Sequence, residues 1–407
     1  MWNYGQLPNG WTAERIGDYA TVITDYVANG SFASLAQNVE YKSQPDYAVL
    51  IRLTDFNNNY EGNFVYIDEH AYEFLAKSKL TGGEIIISNV GANVGTVFKC
   101  PYLNTPMSLG PNAIMFKTKG NDDFIYYWFR SRNGQHSLKS IVTGSAQPKF
   151  NKTNFRDLYV PVPPRKVQDR IANYLGNLDK KIEVNTKINK NLLKQVSAVY
   201  HEIFPTIGSR TICRADEYFD ISIGKTPPRK EPHWFTNNPD DVTWVSISDM
   251  GSCDLYVSKS SEQLTPEAVK TFNINIVPDN TVLLSFKLTV GRIAISDGLL
   301  TTNEAIAHFK TDKPEINEYL YCYLKDFDFR TLGSTSSIAI AVNSKIIKGM
   351  PFVVPANKEL KYFHSFANPL FMEIKSNIRE NQRLSALRDA LLPKLMSGDL
   401  DVSNIDL

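Results

Sequence analysis

The chain repeats itself, and this constrains its fold more than any other feature. Sliding the 407-residue sequence on itself by 192 residues superposes a long ungapped stretch. Asn151 falls on Asn343, Pro163 on Pro355, Lys166 on Lys358, Leu178 on Leu370 and Ile182 on Ile374; Asn185 then meets Asn377, Asn189 meets Asn381, Leu192 meets Leu384 and Ala198 meets Ala390. Upstream the match is weaker and the offset drifts, pairing Gly30 with Gly224, Asp55 with Asp249 and Ser88 with Ser285. Insertions and deletions early in each half account for the drift. The period is too long for a solenoid, so the chain reads as two copies of a globular domain, each followed by a helical element. The expected boundaries are 1–165 for the first domain, 166–206 for a first long helix, 207–357 for the second domain, 358–400 for a second long helix and 401–407 for a tail.

The helical element has a diagnostic period. From Ile171 the positions Leu175, Leu178, Ile182, Asn185, Asn189, Leu192, Val196, Val199 and Ile203 alternate steps of four and three. That is the 3.5-residue repeat of a coiled-coil seam. The second copy gives Phe363, Ala367, Leu370, Ile374, Asn377, Asn381, Leu384, Arg388, Leu391 and Leu395. Pro163-Pro164 and Pro355 mark the starts, and Gly208 and Gly398 are the expected terminators. Asparagine in a seam costs stability but fixes register, because only one alignment gives its amide a partner. Asn185 and Asn189 flank the midpoint of their seam, so antiparallel pairing sets Asn185 beside Asn381 and Asn189 beside Asn377. Parallel pairing also matches asparagine with asparagine; the domain between the helices and a pseudo-twofold arrangement favour the antiparallel choice. A seam from 171 to 203 extends about 48 Å at 1.5 Å per residue, against roughly 34–36 Å for one turn of DNA. The helix pair reads as a ruler.

Each half mixes strands with short helices, so the fold class is α+β: two mixed α/β domains separated by two long antiparallel coiled-coil helices, in a pseudo-twofold duplication. Residues 84–88 and 281–285 read as buried strands, each followed by a glycine turn, Asn89–Gly95 in the first half and one ending Val290-Gly291-Arg292 in the second. Residues 241–247 read as a strand matched by 47–53, and 123–132 and 315–325 as short helices whose aromatic stripes belong to the core.

Several function classes fall away. The four cysteines lie far apart without a CxxC pair, which argues against a disulfide scaffold or zinc ribbon and suits a reducing cytoplasm. The first residues lack the basic and apolar regions of a signal peptide, and no window approaches the roughly 18 apolar residues of a membrane span. Gly224-Lys225-Thr226 lacks the first glycine of a phosphate-binding loop, since Phe219 stands in its place. Asn368-Pro369-Leu370-Phe371 lacks the second proline of a motif that grips a flipped base, and Pro278-Asp279 with Ser285-Phe286-Lys287 has serine where a metal-dependent nuclease needs a carboxylate. The six histidines form no HExxH and there is no GxSxG elbow, so neither catalysis nor a metal site is expected.

Charge is uneven beneath a net of +1. Residues 1–73 carry 10 acidic and 3 basic side chains, whereas 130–170 carry 9 basic (Arg130, Arg132, Lys139, Lys149, Lys152, Arg156, Arg165, Lys166 and Arg170) and 2 acidic. Lys225, Arg229, Lys230, Lys287 and Arg292 lie on glycine or proline loops of the second half. Such clusters suit a polyanion, although a charge cluster is more often an ordinary solvated face.

The ordered set of motifs resembles the specificity (S) subunits of type I restriction–modification systems over the whole chain. Leu7-Pro8-Asn9-Gly10-Trp11 is similar to the family's opening. Gly224-Lys225-Thr226-Pro227, His233-Trp234 and Val242–Met250 resemble the start of a target recognition domain, and Thr143-Gly144-Ser145-Ala146-Gln147 with Val160–Pro164 resembles its end. Leu391–Gly398 resembles the close of the C-terminal conserved helix. Two departures stand out: Asn29-Gly30-Ser31-Phe32 replaces the Gly-x-Thr-Pro opening, and Gly333-Ser334-Thr335-Ser336-Ser337 replaces Gly-Ser-x-Gln. The resemblance implies a non-catalytic subunit that binds a bipartite, asymmetric double-stranded DNA site in the cytoplasm. It implies two modification (M) subunits that carry S-adenosylmethionine and methylate adenine N6, restriction (R) subunits that bring ATP and Mg, and no cofactor in this chain.

Within that reading, Gln147 is a candidate base reader, because a glutamine amide bonds adenine bidentately. Lys149, Lys152, Arg130 and Arg132 are DNA candidates of the first domain, the two lysines for phosphate. Lys225, Arg229 and Lys230 are phosphate candidates of the second, with Lys287 beside them and Arg292 as a guanine reader; Trp234 reads as packing. The rival reading is a two-domain coiled-coil scaffold that binds proteins and no DNA.

Overall fold

The computed structural model describes residues 6–205, 211–332 and 342–402. By contacts the chain divides into two units, Met1–Lys180 with Leu384–Leu407, and Lys181–Arg383. Gly208 and Gly333–Ser337 lie outside the described residues. The long helices, Arg165–Ile203 and Asn357–Ser397, are therefore each shared between units rather than standing apart from them. They start just after Pro164 and Pro355, where the residue preceding a proline resists the helical conformation, and the second stops directly before Gly398.

In the first unit one antiparallel sheet runs Ala20–Asp25, Ala113–Thr118, Ile85–Ser88, Val97–Lys99 in spatial order. A second runs Val65–Ile67, Ala48–Ile51, Met107–Leu109, Lys79–Leu80, with its middle pair parallel. The Ile85–Ser88 strand is buried throughout because it serves two cores. Ile85 and Ile87 pack toward the Asp122–Arg130 helix and the base of the first long helix, while Ile86 packs toward the second sheet. Phe124, Tyr127, Trp128 and Phe129 are at most 2% exposed, so the aromatic stripe of that helix is core. Each such ring contributes about 1.5–3 kcal/mol of transfer free energy. Thr12–Arg15 pairs with Tyr159–Val162 and closes the start of the domain onto its end.

The second unit repeats this plan. Asp220–Ile223, Ile306–Lys310, Val282–Ser285 and Ile293–Ser296 form the first sheet, which gains Tyr256–Val257 at its edge. Val242–Val245 lies parallel to Thr301–Thr302, as Ala48–Ile51 does to Met107–Leu109. Ile212–Arg214 pairs with Pro351–Val353. The repeated residues do repeated work. Asn151 and Asn343 each cap a short helix, accepting from the backbone N–H three residues on at 2.8 and 3.0 Å. Asp55 and Asp249 each accept from the backbone N–H three residues back, at 2.8 Å in both.

In the second unit the asparagines meet across the helices. Asn185 Nδ2 donates to Asn381 Oδ1 at 2.9 Å and Asn377 Nδ2 to Asn189 Oδ1 at 2.9 Å, so the two chain directions run opposite. In the first unit Asp179 accepts from Arg388 Nη1 at 2.6 Å and from Tyr127 Oη at 2.7 Å. This explains an arginine at a seam position: its charge is paired rather than buried bare. Val402, expected in a tail, is 1% exposed, and its carbonyl accepts from Arg170.

Candidate nucleic-acid interface

The first unit presents a loop braced at its base. Thr143 and Lys149 exchange backbone hydrogen bonds of 2.8 and 2.9 Å, closing residues 143–149 into a narrow turn. Gly144 has φ +87° there, and a Cβ on it would sit 2.9 Å from the Gln147 carbonyl. Both facts exclude larger residues. The Asn89–Gly95 turn docks alongside, with Gly91 N–H donating to Pro148 O at 2.9 Å and Phe150 N–H to Asn89 O at 3.0 Å. Two segments that are distant in sequence are thus stitched together. Gln147 and Lys149 are exposed on this platform, and neither side chain makes a hydrogen bond or ion pair to another described residue. Asn93, exposed on the neighbouring turn, adds a second amide that no motif marks out.

The other first-unit candidates divide. Arg132 is exposed at the start of the Arg132–Ser140 helix. Lys152 Nζ is bound to Asp25 Oδ1 at 2.8 Å. Arg130 donates to Tyr126 Oη at 2.9 Å and lies 3.5 Å from Asp179, so it braces the helix base.

In the second unit the loop beginning at Gly224 is anchored by residues far away in sequence. A Cβ on Gly224 would lie 2.2 Å from the Asn303 carbonyl, so this close approach needs glycine. Lys225 Nζ donates to the carbonyls of Phe272 and Asn273 at 3.2 and 3.1 Å, and Thr226 Oγ1 donates to the Glu304 carboxylate. Arg229 pairs with Glu262 at 2.6 Å and lies over Phe235 and Trp244. Trp234 packs edge-on against Phe272. Phe286 N–H donates to Ala305 O, which ties the Lys287 turn to the same region. Lys230 and Lys287 are exposed and make no ion pair with a described residue. Arg292 faces inward, with Nη1 donating to Ile247 O at 2.6 Å and the guanidinium against Gly251. Glu262 and Glu304 were missed in the sequence because they reach the loop from separate segments, and no local motif announces them.

The enzyme-like fragments have structural work. Asp279 binds Lys375, Ser285 Oγ donates to Thr289 O, and Asn368 donates to Glu318. Burial pushes the Cys253 thiol up to about 11, away from nucleophilic use. Among the described residues no cluster of metal-ligating side chains occurs, and no helix is long and apolar enough to cross a membrane.

Two mixed α/β units of one plan, each with an anchored polar loop and a share of two long helices, define an internally duplicated α+β protein. Comparison with known proteins places it more narrowly. The family described as type I restriction modification DNA specificity domain matches residues 8–194 and 212–380. The chain therefore belongs to that family, whose members are the non-catalytic specificity subunits that act with modification and restriction subunits on DNA. It is 24% identical over 313 residues to the MjaIX specificity subunit of Methanocaldococcus jannaschii, covering 70% of each chain. It is 21% identical to the MjaVIII specificity subunit of the same organism, covering 98% of this chain and 95% of that one. A crystal structure of an S subunit from M. genitalium shares the fold with a TM-score of 0.56 at 15% identity, covering 97% of this chain and 99% of the other.

Proposed function

We propose that the chain reads a bipartite, asymmetric duplex site, one half-site per unit, and directs the modification and restriction subunits to it. In the first unit Gln147 reads a base edge and Lys149 and Arg132 contact phosphate; in the second, Lys230 and Lys287 contact phosphate. The paired long helices set the unspecified spacer, and Asn185, Asn189, Asn377 and Asn381 hold their register. Two modification subunits bearing S-adenosylmethionine dock on this framework, and restriction subunits supply ATP- and Mg-dependent cleavage, all in the cytoplasm beside the DNA. The observation that carries the reading is the 143–149 turn: a glutamine and a lysine held outward on a loop locked by backbone bonds, with no side-chain partner among the described residues. A merely structural loop has no need of that exposure.

Methylome sequencing of cells carrying this chain with its cognate modification subunit tests the proposal. The expected result is adenine methylation at a two-part motif with a fixed gap, and Gln147→Ala relaxes one position of one half. Methylation at a continuous motif, or an unchanged motif and affinity in Gln147→Ala, rejects the corresponding part. No methylation and no duplex binding with the modification subunit present favours the protein scaffold.

A further inference from the structure

Arg229 and Arg292, both on loops of the second unit, hold their guanidinium groups differently. The Arg292 fork is bonded to Ile247 O at 2.6 Å inside its own unit. Arg229 is half exposed, at 53%. Its guanidinium carbon lies 4.1 Å from the Phe235 ring centre and 4.7 Å from that of Trp244. Trp244 is itself a fixed floor, 3% exposed, with its indole N–H bonded to Lys225 O at 3.1 Å. Glu262 takes Nη1 at 2.6 Å and thereby sets the rotation of the fork about its axis. Arg229 and Glu262 line, with Phe235 and Pro232, a surface recess of about 180 Å³.

A cation meant for phosphate gains nothing from such fixation. The adjacent carboxylate cancels much of its attraction for the backbone, and phosphate accepts from many directions. Reading a base is different, because bidentate bonding to guanine O6 and N7 depends on the plane and rotation of the fork. Cation–π contact with two rings and a carboxylate buttress hold that geometry before the DNA arrives, at a cost in raw charge. We infer that Arg229, buttressed by Glu262 and lying over Phe235 and Trp244, is the guanine-reading residue of the second unit. The inference rests on the proposal that this unit reads DNA.

The test uses the chain in complex with its modification subunit and a duplex carrying the methylome-defined site. Each guanine is replaced in turn by 7-deazaguanine, which lacks the N7 acceptor. At one guanine the replacement weakens binding by the wild-type chain about tenfold or more, and it adds nothing further in Arg229→Lys. Glu262→Gln, which keeps the ring contacts and the shape of the side chain, lowers discrimination at that same position and leaves the others alone. The inference is overturned if the site contains no guanine, if no 7-deazaguanine effect disappears in Arg229→Lys, or if Arg229→Lys weakens all sequences alike. Lys230→Ala and Lys287→Ala separate the two levels. If they still reduce the salt dependence of binding while Arg229 shows no base preference, the unit contacts DNA and this residue assignment alone is wrong. If neither they nor Arg229→Lys affects binding, the underlying reading of the unit fails as well.

Discussion

The two units share a strand register but not what stands at its centre. Ser88 pairs with Ala113 in the first and Ser285 with Ile306 in the second, so Met115 and His308 occupy the same place two residues on. Met115 fills its site with a flexible thioether. His308, fully buried, needs partners, and finds Ser222 at 3.0 Å on Nδ1 and Thr302 at 2.7 Å on Nε2. The helix attachments differ in the same way. The first unit gathers Arg388, Tyr127 and Arg130 on Asp179. The second sets Lys375 and Arg379 against Asp297, with Asp279 as a further partner of Lys375. One backbone plan accepts an apolar or a polar centre, here because both ring nitrogens of the buried His308 have a hydroxyl partner.

The attachment offers the largest separation between the units. The Asp297 side chain is 4% exposed and that of Lys375 9%, whereas Arg388 is 17% exposed and keeps Asp389 at 2.8 Å. Burial alone would raise the Asp297 carboxyl, but the bonds from Arg379 and Lys375 outweigh it and hold it below its ordinary value. Asp297→Ala leaves the buried Lys375 ammonium with the more exposed Asp279 as its remaining carboxylate and should cost about 3 kcal/mol, read as lost hydrogen-exchange protection concentrated in residues 181–383. Asp179→Ala should cost less and act on the first unit. Equal losses would show that the two attachments are energetically alike.

His308 gives the next effect. Burial lowers it to about 4, with Lys310 adding to the shift. The folded state therefore holds it neutral, while the unfolded chain protonates near the ordinary value of 6.5. Stability is full above that value and falls as the pH drops toward about 4, by up to about 3 kcal/mol. Urea unfolding between pH 7 and 4.5, followed by exchange in each unit, should show this slope in the second unit. His308→Met, which copies the first unit, should flatten it. A slope that survives the substitution places its origin elsewhere.

What was legible in the sequence follows from which forces are local. Seam periodicity and the prolines before both helices rest on neighbours within a turn or two. The buried strands rest on unbroken apolar runs such as 85–87, whereas their register and the capping roles of Asn151 and Asn343 came only with the structure. The sites were harder because their partners are distant. Nothing near Lys152 points to Asp25, 127 positions earlier. Arg292 sits on a glycine loop that looks outward in sequence, yet Ile247 O draws it in. Charge counting in residues 130–170 found a basic belt but could not tell which cations are already neutralised.

That distinction yields the smallest effect and the finest test between the units. Lys149 in the first unit and Lys230 and Lys287 in the second are exposed without an ion-pair partner among the described residues, whereas Lys152 and Arg130 are paired with Asp25 and Asp179. A cation that neutralises one phosphate releases counterion on binding, so its removal lowers the salt slope of log K by about 0.9. Lys149→Ala and Lys287→Ala should each do so, for about 1 kcal/mol or less at moderate salt. Lys152→Ala should leave the slope unchanged and show its cost in the stability of the first unit, because its charge already answers Asp25. If Lys152→Ala instead shifts the slope as Lys149→Ala does, its pairing with Asp25 gives way to phosphate when DNA binds. The acidic side chain would then be a gate on that contact rather than its permanent partner.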